Sequence, residues 1–447
     1  MTGSVTWVRG RGAAGCAGAE RTRPGLVRTV SGSAPLLLIA AMFAAGCAGA
    51  LLGGIPVGRV MENYAYDVLV ILIVMELFTN LIAETGIMQL LAVRLAELSA
   101  GRKRLCLVMF GALMFLVSSC LNNITAVMMI LPVMFVLLKA LEVDQGYVST
   151  FFAAMLALSN TGGAASPIGD FPAVVIMTSG ITSFLGYLVR AFPLFALTSA
   201  ALIGVWSARV RGERDDGAVR ALAISGLRSR YRNIEVRFDV LKGLGLVFGA
   251  MFLAWSIVPQ EVLPPEVIAV LGYAAAMVLC SVRKVRVRQT MELQSLLTIA
   301  SFLFFAEVVS QTGILGAAAS YLQHRIASPK LLVMAIMVIT SLVAGIFSAG
   351  PAAAAMMPVI AGLCSGPLGA QSDWIAVAYA AAICAGSSLF MWSATAGFIL
   401  SGKINGAGME EEDGGAISWG AGQYFRYGLV NYAVQLAIAL AVVAVVL

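Results

Sequence analysis

A fourteen-residue stretch, SNTGGAASPIGDFP at 159–172, places one carboxylate, one amide, three hydroxyls and three glycines between the apolar runs FFAAMLAL and AVVIM. Such groups at membrane depth are costly unless they face protein, line a cavity or bind something. Gly162 and Gly163 allow close approach of a ligand or another backbone, and Pro167 and Pro172 stop a helix from running straight through. Asp170 has two compatible readings: it caps the free amides of a second half-helix, or it carries a proton or a bound cation. A helix broken here turns the carbonyl end of one half and the amide end of the other toward the same point. Ser159, Asn160, Gly162, Gly163 and Asp170 are therefore candidate ion ligands.

A second cluster precedes it. SSCLNNITAVMMILP at 118–132 sets Asn122 and Asn123 at a turn between two apolar runs, with Ser118, Ser119 and Thr125 beside them. Amide and hydroxyl oxygens suit Na⁺ and amide N–H groups suit an oxyanion, while the plainer reading is that the asparagines cap a turn. Met128 and Met129 read as packing, not as metal ligands. Weaker counterparts follow late in the chain: FSAGPAAAAMMP at 347–358 supplies Ser348, and CAGSSLFMWSATAG at 384–397 supplies Ser387, Ser388, Ser393 and Thr395 but no carboxylate. One strong ion position is expected, not two equivalent ones. Glu76 and Glu307 lie in apolar runs, and each is either a step in a proton path with Asp170 or a paired scaffold residue. Arg190 either reaches back to an interface or attracts an anion.

Helices must position these groups. The 447 residues are 60% hydrophobic and only 12% charged, with mean hydropathy +0.92. Soluble domains carry about twice that charge. Apolar runs long enough for a ~30 Å hydrocarbon core recur along the chain, so an all-α polytopic membrane protein is expected. Several runs are too short to cross, and these come in adjacent pairs: 105–119 with 125–140, 148–160 with 171–182, 331–347 with 352–365, and 374–386 with 396–402. Paired short runs with Gly, Pro or polar interruptions mark two re-entrant hairpins and two broken transmembrane helices. The pattern repeats: AETGIMQLLA at 83–92 matches SQTGILGAAA at 310–319, an offset of 227, and MMILPV at 128–133 matches AAMMPV at 354–359, an offset of 226.

This divides the chain into a disordered basic cytoplasmic tail (1–34), a first transmembrane repeat (35–208), a basic cytoplasmic loop (209–239), a linking transmembrane helix (240–258) and a second, inverted repeat (259–447). With the N-terminus cytoplasmic, the basic segments Arg94–Arg104, Arg209–Lys242 and Arg283–Arg288 all fall inside, as the positive-inside asymmetry requires. The net charge of +6 then reflects these loops and not a nucleic-acid partner. The alternative organisation, a plain bundle of about fourteen full helices, leaves Asn122, Asn123, Asp170 and the glycine clusters without a role.

Seven cysteines without CxxC spacing and a single histidine, His324, argue against a metal centre. No GxxxxGK[ST] phosphate loop and no catalytic set occurs. An enzyme is not expected, nor a cofactor beyond a transported Na⁺ or H⁺. The run EEED at 410–413 reads as a solvated loop.

NNITAVMMILP followed by SNTGGAASPIGDFP, with the weaker copies SAGPAAAAMMP and SLFMWSATAGFILSG, resembles the ion transporter superfamily over residues 35–447. That group includes arsenite-antimonite efflux permeases, citrate and dicarboxylate carriers, and sodium–proton antiporters. IGDFP is similar to the IGDPP form of the ArsB-like arsenite-permease and pigmentation P-protein branch. The resemblance implies a mobile transport domain of hairpins and broken helices on a dimeric scaffold. It assigns ion binding to Asn122, Asn123, Ser159, Asn160, Gly162 and Asp170, with Ser348, Ser387, Ser388 and Thr395 as second-half counterparts. The departures are specific: dicarboxylate carriers have Ser-Asn-Thr at both tips, where this chain has Asn122-Asn123-Ile124 and Ser348-Ala349-Gly350, and Phe171 replaces the first proline. Both count against a di- or tricarboxylate cargo and a second sodium site.

The expected function is secondary active transport of a small inorganic ion, antiport by Na⁺/H⁺ exchange standing ahead of oxyanion (arsenite-like) or organic-anion permeation. The reading of another class is a non-transporting membrane scaffold with a cytoplasmic partner docked on 209–239. The membrane is the plasma (inner) membrane or an organelle's.

Overall fold

The computed structural model describes residues 33–210, 217–285, 293–314, 317, 321, 324–366, 368–394, 396–407 and 417–447. Most of the 1–34 tail, Thr395, the EEED run and the last of the Arg283–Arg288 segment lie outside the described residues. What is described is helical throughout.

The first half begins with α1 (Ser33–Leu52), the short α2 (Val57–Glu62), α3 (Tyr66–Ala83) and α4 (Ile87–Ser99). A helical hairpin follows, α5 (Lys103–Ser118) and α6 (Asn123–Ala140), then an interrupted helix, α7 (Gln145–Ala164) and α8 (Phe171–Thr178), and a long span, α9 (Phe184–Arg209). Next come α10 (Gly217–Arg230), α11 (Phe238–Ile257) and α12 (Pro265–Val282). The second half comprises α13 (Leu293–Gln311), the hairpin α14 (Pro329–Phe347) and α15 (Ala349–Cys364), the interrupted pair α16 (Ser372–Ser387) and α17 (Gly397–Gly406), and α18 (Ala421–Val446). Seven of these helices are long and apolar enough to cross a membrane: α3, α6, α9, α11, α12, α14 and α18. At 1.5 Å per residue the 16 residues of α5 cover only ~24 Å, short of a ~30 Å core.

The two halves share a local geometry. Gly86 and Gly313, 227 residues apart, both adopt left-handed backbone with φ of 75° and 71°. Each follows a threonine bonded alike: Thr85 Oγ1 donates to the Ile82 carbonyl (2.7 Å) and Thr312 Oγ1 to that of Val309 (2.6 Å). A proline lies inside each returning hairpin helix, Pro132 in α6 and Pro358 in α15, tolerated because neighbouring helices can take up the freed backbone groups.

Basic groups collect where one set of helix ends meets. There Arg228 faces Glu97 at 3.8 Å, Lys139 Nζ donates to the Ala407 carbonyl (2.5 Å), and Arg237 donates to the Arg283 carbonyl (2.9 Å). At the opposite end Arg190 pairs with Asp373 at 2.8 Å, and Lys330 Nζ donates to the Ala444 carbonyl (2.6 Å). Arg190, with a third of its side chain exposed, therefore ties α9 to α16 and is spoken for by a carboxylate. Within the 209–239 segment, α10 buries Ala223 and Leu227 against α6 and α4, so this segment is partly a helix docked on the first hairpin.

α18 runs from the basic end, where Gln145 at the start of α7 bonds to the Ser418 carbonyl (2.7 Å), to the opposite end, where Lys330 at the start of α14 reaches Ala444. The two hairpins thus have their open ends at opposite ends of the bundle.

Candidate functional site at the helix breaks

Asn123 is the first residue of α6 and is fully buried. Its Nδ2 donates to Asp170 Oδ2 at 2.8 Å. Asp170 precedes α8, and its other oxygen accepts from the Phe171 amide at 2.9 Å, so capping and a buried side-chain contact coexist on one carboxyl group. The Ser118 hydroxyl faces both Asn123 Oδ1 and the Ser159 carbonyl, the latter at 2.8 Å. A hairpin tip, a half-helix end and a half-helix start are thereby joined through the side chains of Ser118, Asn123 and Asp170 and the Ser159 carbonyl. Among the described residues, Asp170 forms no salt bridge with Lys, Arg or His.

The neighbouring asparagine does the plainer work. Asn122 Oδ1 accepts from the Ile124 amide (2.9 Å), which caps α6, and its side chain is only half-buried. The two asparagines therefore divide capping and site between them, whereas sequence alone treats them as a pair. Thr125 is half-buried on the first turn of α6. Glycines set the spacing. A Cβ on Gly163 would lie 2.8 Å from Asp170 Cβ and 2.9 Å from Asn123 Nδ2, and one on Gly162 2.8 Å from Ser118 Cβ.

The second break faces the first. Asn160 Nδ2 approaches Ser387 Oγ (3.3 Å) and Ser388 Oγ (3.2 Å), so the two breaks meet through these residues. Ser393 closes its own loop by donating to the Phe390 carbonyl (2.7 Å). Ser348, at the second hairpin's tip, has φ 88° and ψ 161°, a region that disfavours any residue with a side chain. A Cβ on the adjacent Gly350 would lie 3.2 Å from the Phe171 ring, which places the second tip against the start of α8.

Glu76 and Glu307 are not part of this cluster. Each is half-buried, Glu76 on α3 and Glu307 on α13, where Glu307 Oε1 accepts from Gln311 Nε2 at 2.8 Å. Among the described residues, no group of three His, Cys, Asp or Glu side chains is placed to hold a metal.

Two residues that sequence reasoning passed over complete the site. Tyr187 donates to the carbonyl of Ala164, the last residue of α7 (2.7 Å), and Tyr424 to that of Ser388, which caps α16 (2.8 Å). Each is the fourth residue of the span after the break, and each satisfies a carbonyl that the broken helix leaves without an intrahelical partner. Tyr187→Phe and Tyr424→Phe should each cost about 1–3 kcal/mol by stranding a buried carbonyl. The check is the thermal midpoint in detergent, and an unchanged midpoint for both would show that the carbonyls find other partners.

A family model described as citrate transporter (CitMHS) matches residues 27–384. The chain belongs to the citrate transporter family. As a citrate transporter family member it is a multi-pass membrane transporter, and its relatives agree. It is 25% identical over 381 residues to an uncharacterized transporter of Mycobacterium tuberculosis, covering 84% of each chain. Human P protein is 31% identical over 137 residues, 30% of this chain and 16% of that one. Among solved structures, the Alcanivorax borkumensis YdaH transporter, whose description notes an unusual topology, superposes with TM-score 0.52 at 17% identity, covering 92% of this chain and 98% of that one. The superposition bears on the fold of this citrate transporter family member, and the helical, polytopic architecture expected from its sequence is the one found.

Proposed function

We propose that this transporter works by alternating access with Asp170 and Asn123 as its cation-coupling pair. The observation that carries the reading is the Asn123–Asp170 hydrogen bond, a buried carboxylate contact made where a hairpin tip meets a helix break. Both carboxylate oxygens accept from amides, which suits the charged form, yet no cationic side chain among the described residues neutralises it. A buried charge in that position calls for a mobile counter-ion, and H⁺ or Na⁺ fits.

The opposed open ends of the two hairpins support an inverted repeat with both hairpins re-entrant, and the clustered basic residues support a cytoplasmic basic end. Na⁺/H⁺ exchange is the simplest cargo assignment for a site with one carboxylate and several neutral oxygens. A second reading is favoured by the family match itself: the cargo is an organic anion such as citrate. The cation at Asp170 would then enter with the anion, because among the described residues no basic side chain of the site offers the anion a partner.

The test is proteoliposomes loaded with a pH-sensitive dye and stepped through Na⁺, K⁺, arsenite, phosphate and citrate. A Na⁺-evoked pH change supports exchange. A response confined to citrate with a cation moves the cargo to the organic anion and keeps the coupling role of Asp170. Silence with every ion, from protein shown to be folded, overturns the reading and promotes a scaffold function.

A further inference from the structure

A cavity of about 440 Å³ opens at the end of the bundle opposite the basic residues. On one side stand Glu62 of α2, Asp67 at the start of α3 and Glu307 of α13; on the other stand Thr178 of α8 and the C-terminal half of α15. Among the described residues, three carboxylates line it and no Lys or Arg does. Arg59 lies one turn before Glu62 but is not part of the wall.

The two helices on the far wall connect the cavity to the breaks. α8 starts just after Asp170 and α15 just after Ser348, and both run from the site toward the cavity. Val175 and Ala354 are cavity-lining residues. At 1.5 Å per residue they stand ~8 Å and ~9 Å along their helices from Asp170 and Ser348. What separates cavity from carboxylate is a short apolar layer in which the buried Phe171 ring packs against Gly350.

We propose that this acid-lined cavity is the access vestibule on the non-basic side and that it admits small cations in preference to anions of the same size. It rests on the reading of Asp170 as the coupling site, to which the vestibule delivers the ion. The physical cause is focusing: one sign of charge on low-dielectric walls raises the local concentration of the opposite sign. The carboxylates need not coordinate anything. Their field in a confined volume suffices, and it must weaken with salt.

Thiol reactivity tests the vestibule without asking the protein to transport. In reconstituted protein with Cys16, Cys47, Cys120 and Cys364 replaced by serine, Thr178→Cys is exposed to two reagents of similar size. One is the cationic trimethylammonioethyl methanethiosulfonate and the other the anionic sulfonatoethyl methanethiosulfonate. After correction for their rates with a free thiol, the cationic reagent should react faster by on the order of tenfold. That preference should collapse in the background Asp67→Asn with Glu307→Gln, and shrink at high salt. Ser310→Cys on the opposite wall is the second reporter, should Thr178→Cys fail to fold.

Equal rates for the two reagents would overturn the cation preference, and no reaction at either position would overturn the vestibule. Cation preference in a protein that fails every flux assay would leave the vestibule standing and sink the coupling reading alone.

Discussion

Asp170→Asn is expected to abolish cation-coupled flux while leaving a folded protein. Asparagine keeps the size of the side chain and an oxygen for the Phe171 amide, but its NH₂ now opposes Asn123 Nδ2, donor to donor, where a 2.8 Å bond stood. The charge-assisted bond is worth about 1.5–3 kcal/mol. The larger loss is the charge itself, since without it the site has no demand for a counter-ion. Flux coupled to the cation should therefore fall by at least about a hundredfold, which corresponds to ~3 kcal/mol. Proteoliposome flux read beside a detergent melting curve checks this. Coupled flux within about tenfold of wild type would remove Asp170 from the coupling role. Asp170→Glu keeps the charge and should lose less flux than Asp170→Asn does.

Gly163→Ala should act on the same contact from behind. The added methyl carbon would sit 2.8 Å from Asp170 Cβ and 2.9 Å from Asn123 Nδ2, closer than packed atoms come. Relief must come from the hairpin tip or from the start of α8, because Gly163 is held in α7. Overpacking of this kind costs about 1–3 kcal/mol. The expected result is a lowered melting midpoint together with a loss of flux at temperatures where the variant is still folded. Adding Asn123→Ala removes part of the clash, so the double variant should recover stability without recovering flux. If Gly163→Ala transports normally, the spacing between tip and break is not what the site depends on.

Much of this architecture was legible in the residues, and the reason is local. Helix breakers and polar groups inside apolar runs have few uses, so 118–132 and 159–172 announced a tip and a break, and the structure places both there. The Thr-Gly turns at 85–86 and 312–313 stand out in sequence because left-handed backbone selects glycine, and the structure gives both that backbone. The division of labour between Asn122 and Asn123 was not legible, since adjacent residues differ only in the direction that helix packing gives them. Tyr187 and Tyr424 were missed for another reason. They lie 237 residues apart, ten more than the Thr-Gly turns, and a single constant offset does not align them. The internal offset carries the break near Asn160 onto Gly386, and the structure sets Asn160 against the adjoining Ser387, a contact that an offset between equivalent positions does not itself foretell.

The two tyrosines also fix what can slide past what. Each clamps a break to the span that follows it, and further bonds close the ring: Thr161 to Ser199 (2.7 Å), Trp206 to Asn431 (2.8 Å) and Asn431 to the Ala153 carbonyl (3.2 Å). A stroke that displaced α9 or α18 from the breaks would have to sever buried bonds at several points together. Under the alternating-access proposal these spans would travel with the ion site, as would α10, which is docked on the first hairpin. The left-handed pair Ala100–Gly101, just ahead of α5, is then one of the joints about which that load would swing.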